Sequence, residues 1–182
     1  MFYLILGLLL WVGAHFFKRF APGPRARLGD AGKGLVAVLS LAGIVLMVIG
    51  YRAADPVFLW DLGSWTRHLN NLLMLVAVAL FGLGNSKSRL RGSLRHPMLT
   101  GVILWAGAHL MVNGDLPSLV LFGGMALWAI GEMVVINRAE PAPARFAGGT
   151  VQGDVRLAVI TLAVYAVISG LHIWLGPNPF GA

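Results

Sequence analysis

Long runs of apolar residues alternate with short polar connections along the whole chain. Six runs reach or approach the length of about 20 residues with which a helix crosses a bilayer. They lie near 2–17, 35–51, 67–84, 97–113, 116–137 and 156–175. The first run is short, but Lys18 and Arg19 follow it instead of a small-residue cleavage site, so we expect a retained helix rather than a signal peptide. The pattern predicts an all-α, polytopic transmembrane helical bundle that forms one integral membrane domain over residues 1–182.

Composition supports this class and excludes several others. Of 182 residues, 58% are hydrophobic and 12% charged, whereas soluble domains carry about 25% charged residues. An ordinary soluble enzyme is therefore excluded, since this much apolar surface would aggregate in water. The chain has no cysteine, which excludes disulfides, iron–sulfur clusters and thiolate metal sites.

The basic residues are unevenly distributed between the two sides of the predicted bundle. Twelve of the 14 Lys and Arg residues fall on alternate connections, 18–34, 85–96 and 138–156. Because basic loops remain in the cytoplasm, both termini are predicted on the non-cytoplasmic side of a bacterial inner (cytoplasmic) membrane. The basic loops are expected to attract anionic membrane lipid. No Gly-rich phosphate loop or aromatic platform accompanies them, so nucleic acid is not an expected partner.

Ionisable and amide side chains inside the spans are candidate functional residues, because each is costly in hydrocarbon. All five histidines lie within or at the ends of spans: His15, His68, His96, His109 and His172. At 1.5 Å of rise per residue, His15 lies roughly 20 Å from the outer end of its helix and His109 roughly 18 Å from the inner end of its own. These two depths agree to within about 10 Å in a hydrocarbon core about 30 Å thick.

Two imidazoles at similar depth on separate helices suggest two interpretations. They can bind haem iron from its two sides, a frequent use of facing helices in a bundle. Alternatively, each histidine makes one interhelical hydrogen bond worth under about 2 kcal/mol. His68 and His172, nearer the outer face, are reserve ligands for the iron.

The fourth span places Trp105, His109 and Asn113 on one helical face. Asn113 is predicted either to orient the imidazole or bound group, or to cap the helix at the turn that follows. His96 lies about 20 Å of helical rise from His109, so it is expected to be structural or to stand at the mouth of a site. Glu132 is a weak candidate for a proton relay.

Several of these segments resemble the NnrU family of polytopic membrane proteins. The resemblance rests on Gly-Ala-His-Phe at 13–16, Arg-His-Pro-Met-Leu at 95–99, Trp-Ala-Gly-Ala-His at 105–109, Asn-Gly-Asp at 113–115, Leu-Phe-Gly at 121–123 and Trp-Ala-Ile-Gly at 128–131. The family includes zeta-carotene isomerase of plants and cyanobacteria, which implies haem b with histidine axial ligands, and its bacterial members are associated with denitrification. By position in these motifs, His15 and His109 are the implied iron ligands. Trp105 and Asn113, which share a helical face with His109, are predicted to lie beside the cofactor.

The resemblance thus implies a bis-His haem b protein with a redox or isomerase-like role linked to nitrite and nitric oxide metabolism. Its partners would be a hydrophobic small-molecule substrate, or respiratory and denitrification proteins. One alternative is a membrane methyltransferase that uses S-adenosylmethionine, because Arg95-His96-Pro97 is similar to a motif of such enzymes. Those enzymes carry an aromatic residue where this chain has Leu99. A second alternative is a non-catalytic assembly factor for a respiratory complex.

Overall fold

The computed structural model describes residues 1–141, 144 and 146–181, and over these residues the chain is helical, as predicted. Isolated bridges take the place of strands in this part of the chain. We number the α-helices in chain order: α1 Phe2–Phe20, α2 Pro22–Arg27, α3 Ala31–Arg52, α4 Thr66–Leu83, α5 Pro97–Val112, α6 Leu116–Ala139 and α7 Val151–Leu175. A short 3₁₀ helix, Arg89–Gly92, precedes α5.

Five helices are long and apolar enough to cross a membrane: α1, α3, α4, α6 and α7. The remaining predicted span, 97–113, forms the 16-residue helix α5. At 1.5 Å per residue α5 is about 24 Å long, less than the roughly 30 Å of a hydrocarbon core. The orientation of the termini stays a prediction.

Local signals explain where the helices begin. Pro97 and Pro117 stand in the first turns of α5 and α6, where a missing N–H costs nothing. The Asp115 carboxylate accepts a hydrogen bond from the Ser118 N–H at 2.8 Å and so caps α6. Helix α7 begins at Val151, five residues before the predicted start at 156, because Thr150 caps it by accepting from the Gly153 N–H at 3.0 Å.

Helix α6 contains a π-helical segment, Leu119–Gly123, which hydropathy does not predict. Such single-turn insertions into α-helices are often found at functional sites. Ser118, directly before the segment, is hydrogen-bonded to the Tyr51 hydroxyl at 2.8 Å. The Phe122 ring, inside the segment, lies 6.2 Å from the Tyr51 ring. One residue of α3 therefore packs against this irregular turn.

The contacts group the chain into two compact units, each with its own core. The first unit comprises Met1–Trp60 and Gly114–Trp128. In it α1 and α3 pack closely at Gly7, where a Cβ atom would lie 2.6 Å from the Gly43 carbonyl oxygen and 2.7 Å from the Met47 nitrogen. Glycine at position 7 thus allows the two backbones to approach each other.

The second unit comprises Asp61–Asn113 and Ala129–Ala182. In it α4 packs against α5 and α7. A polar cluster ties the start of α7 to the 3₁₀ helix: the Asp154 carboxylate accepts from the Ser88 hydroxyl at 2.7 Å and from the Arg89 backbone and side chain. Through this cluster the charged Asp154 carboxylate, in the first turn of a long apolar helix, has hydrogen-bond donors.

Candidate cofactor site

Three histidines share one local geometry. The Nδ1 atoms of His15, His109 and His172 lie 2.8, 2.9 and 2.8 Å from backbone carbonyl oxygens four residues earlier. A carbonyl oxygen only accepts hydrogen bonds, so in each ring Nδ1 carries the proton and donates it. In the neutral ring Nε2 then has the lone pair, which is the state of an imidazole that ligates iron.

His109 lies in the middle of the predicted Trp105–His109–Asn113 face, and the structure brings these three residues together. The Trp105 carbonyl accepts from the His109 ring, and the two rings lie 5.3 Å apart. The Asn113 side-chain amide donates to the His109 carbonyl at 2.9 Å. Asn113 thus ends α5 and contacts the His109 backbone, the capping role that was one of its two predicted alternatives.

His172, predicted as a reserve ligand, belongs to the same unit as His109. The His172 ring donates to the Ile168 carbonyl at 2.8 Å, as the His109 ring does to the Trp105 carbonyl. His68, the other reserve ligand, lies exposed in the first turn of α4. Of the two reserve ligands, His172 is the one that shares the ring geometry of His109.

His15 lies in the first unit, among aromatic rings. Its imidazole lies 4.2 Å from the Trp11 ring and 4.9 Å from the Trp128 ring, and the two indoles lie 5.2 Å apart. The indole nitrogens of Trp11 and Trp128 are buried and have no hydrogen-bond acceptor. Buried Trp N–H groups usually have a partner, so two unpaired donors beside one histidine suit a bound group that carries acceptors. His109 lies in the other unit, so the facing pair His15–His109 stays a prediction.

His96 has a partner at the end of α5. Its Nε2 lies 2.8 Å from the side-chain oxygen of Asn137, on α6. The neighbouring Arg95 donates to the Glu140 carbonyl at 2.8 Å. These bonds join the start of α5 to the end of α6, which suits the structural role expected of His96. Glu132 is half-buried on α6, and its predicted proton relay stays a prediction.

Sequence reasoning missed the two tryptophans around His15. Trp11 precedes His15 by four residues, so helical spacing alone places the two on one face. Trp128 lies far away in sequence, and only the fold brings it to His15. Among the described residues, no group of three His, Asp or Glu side chains is arranged to hold a free metal ion. A haem iron needs fewer protein ligands than a free metal ion, namely one or two imidazoles.

Among the comparisons with known proteins, only a family model matches the chain. No curated protein and no solved structure is similar to the chain at a significant level. The sequence model of the family described as NnrU protein matches residues 3–179, nearly the whole chain. The match covers every motif on which the resemblance was based and all five histidines, and by it the chain belongs to the NnrU family.

Proposed function

We propose that this membrane protein binds haem b through His109 and a second imidazole. The observation that carries the proposal is the shared geometry of the intramembrane histidines, whose Nδ1 atoms donate to carbonyls one turn earlier. This bond orients the ring and raises the basicity of Nε2, as hydrogen bonds from metal-bound histidines do. The absence of cysteine leaves histidine as the natural axial ligand in this chain.

Two residues are candidates for the second ligand, and a different observation favours each. His15 is favoured by its family motif and by the unpaired indole N–H groups of Trp11 and Trp128, which suit the carboxylates of a haem. His172 is favoured because it belongs to the same unit as His109 and its ring has the same hydrogen-bond geometry. We take His15 as the primary ligand and His172 as the reserve.

Haem with two imidazole ligands supplies a one-electron redox centre whose potential depends on the polarity around it. The chain's own residues would hold and tune it. The Trp105 and Trp11 carbonyls fix the two ring orientations, and apolar helices exclude water. Family membership supports a redox or isomerase-like role connected with denitrification, acting on a hydrophobic small molecule or with respiratory proteins.

The test is an absorption spectrum of the purified protein and of its histidine variants. We expect the reduced spectrum of a low-spin haem b in the wild type. His109→Ala should abolish haem retention, whereas His15→Ala should leave a five-coordinate, high-spin haem. His96→Ala is the matched control, because His96 is occupied by Asn137, and its spectrum should stay low-spin.

Other outcomes would move or overturn the proposal. A spectrum unchanged in both His15→Ala and His109→Ala would shift the ligands to His68 and His172. Loss of pigment in folded His96→Ala would show that the assignment of this residue is wrong. A protein that never retains haem refutes the proposal. In that case, binding of S-adenosylmethionine would indicate the methyltransferase, and its absence the assembly factor.

A further inference from the structure

A polar cavity lies in the second unit, where α4 begins and α5 ends. Its volume is about 380 Å³, at the small end of the range for ligand sites. The polar residues that line it include Asp61, Ser64, Arg67, Asn70, Asn113 and Asn178. This cavity contains none of the histidines assigned to haem. A polar cavity of this size at the end of membrane helices calls for a polar ligand.

One lining residue, Asn70, indicates which hydrogen-bonding group the ligand must carry. Asn70 is 7% exposed, and its side-chain oxygen is buried without a hydrogen-bond partner. The Asn70 amide donates to the Asn71 side-chain oxygen at 3.0 Å, and the Asn71 amide donates to the Pro179 carbonyl at 2.9 Å.

The Pro179 carbonyl determines the orientation of both amides. A carbonyl only accepts, so Asn71 must direct its NH₂ group to Pro179 and its oxygen to Asn70. Asn70 must then donate to that oxygen, which leaves its own oxygen as the unpaired atom. An unpaired buried acceptor is unfavourable, so the missing partner is a hydrogen-bond donor.

The charged lining residues define the rest of the ligand. Asp61 and Arg67 both line the cavity, and neither belongs to the salt bridges Lys33–Asp30 and Arg89–Asp154. One Asp61 oxygen accepts from the Gly63 N–H at 2.8 Å. A cavity with a carboxylate, an unpaired acceptor and a guanidinium suits a zwitterion that combines an N–H-bearing cation with an anion.

The position of the cavity identifies the source of this zwitterion. Trp65, which stands between lining residues Ser64 and Thr66, is 61% exposed. Exposed tryptophans at helix ends are typical of the level of the lipid headgroups. We therefore propose that the cavity binds the headgroup of phosphatidylethanolamine. Its ammonium donates to Asn70 and Asp61, its phosphate pairs with Arg67, and its acyl chains remain in the bilayer.

Phosphatidylcholine provides a sharp control, because its quaternary ammonium has no N–H to donate. The experiment is native mass spectrometry of the full chain in detergent, titrated with either lipid carrying identical acyl chains. We expect phosphatidylethanolamine to bind about tenfold more tightly, the effect of one hydrogen bond to a charged group. Equal binding of the two lipids would overturn the proposal. The readout is bound lipid mass, so it is independent of haem.

Variants locate the site. Asn70→Leu should remove the preference for phosphatidylethanolamine, and Arg67→Gln should weaken both lipids about equally. The matched controls Asn85→Leu and Arg52→Gln change exposed residues outside the cavity and should bind like the wild type. A preference that survives in folded Asn70→Leu would refute this location. If that variant does not fold, Asn70→Asp keeps the acceptor and must keep the preference, and loss of the preference there would refute it.

A soluble zwitterion offers the same chemistry, and competition separates the two sources. Free phosphoethanolamine should displace the lipid only at concentrations at least about a hundredfold higher, because it lacks the acyl chains that hold the lipid in the apolar phase. Displacement at equal concentration would show that the cavity serves a soluble compound and would overturn the lipid assignment.

Discussion

The close approach of α1 and α3 at Gly7 makes a quantitative prediction for Gly7→Ala. The new methyl group would lie 2.6 Å from the Gly43 oxygen, 2.7 Å from the Met47 nitrogen and 2.8 Å from the Met47 Cγ. Two of these three atoms belong to the backbone, so the helices themselves must separate. Overpacking of this kind costs about 1–3 kcal/mol, and the better helix propensity of alanine returns about 1 kcal/mol.

We therefore expect Gly7→Ala to lower the free energy of unfolding by up to about 2 kcal/mol. Gly13→Ala is the matched control on the same helix, because no atom apart from the nearby backbone of α1 itself and the residues next to Gly13 lies within 4 Å of a Cβ atom there. Its expected effect is a gain of up to about 1 kcal/mol. The assay is reversible chemical unfolding of both variants and the wild type in one detergent. Equal stability of the two variants would refute the close approach of α1 and α3.

Three further predictions concern the capping and orientation of the helices. Asp154→Asn should lower the unfolding temperature of the purified protein, since an amide replaces the carboxylate that accepts from Ser88 and Arg89. Asp30→Asn, which changes an exposed ion pair, should leave the unfolding temperature unchanged. Asp115→Ala should cost about 0.5–2 kcal/mol in the same unfolding assay through loss of the α6 cap, and an unchanged value would show that the cap is dispensable. Reporter fusions made after Lys33, Arg91 and Arg145, the last outside the described residues, should be cytoplasmic. Two non-cytoplasmic results among the three would exclude the proposed orientation.

The sequence by itself determined the class of the protein and the approximate bounds of its helices. Apolar runs close to the thickness of a bilayer have few alternatives to helices, because every backbone polar group in lipid must be satisfied within the segment. The face shared by Trp105, His109 and Asn113 also followed from helical spacing, and the hydrogen bonds between these residues match it. The early start of α7 did not follow from hydropathy, because it depends on the Thr150 cap and on Ser88 and Arg89, distant in sequence, which donate to Asp154 in the first turn.

Only the tertiary structure decided which polar groups have partners. Trp128 reaches His15 across more than a hundred residues of sequence, and the Pro179 carbonyl determines the orientation of Asn71 and hence the unpaired oxygen of Asn70. The physical reason is that hydropathy and helical period describe one helix at a time, whereas a hydrogen-bond partner is found through packing between segments. The sequence therefore indicated the histidines as candidates, and the fold revealed the cavity beside α4 and the unpaired acceptor that defines its ligand.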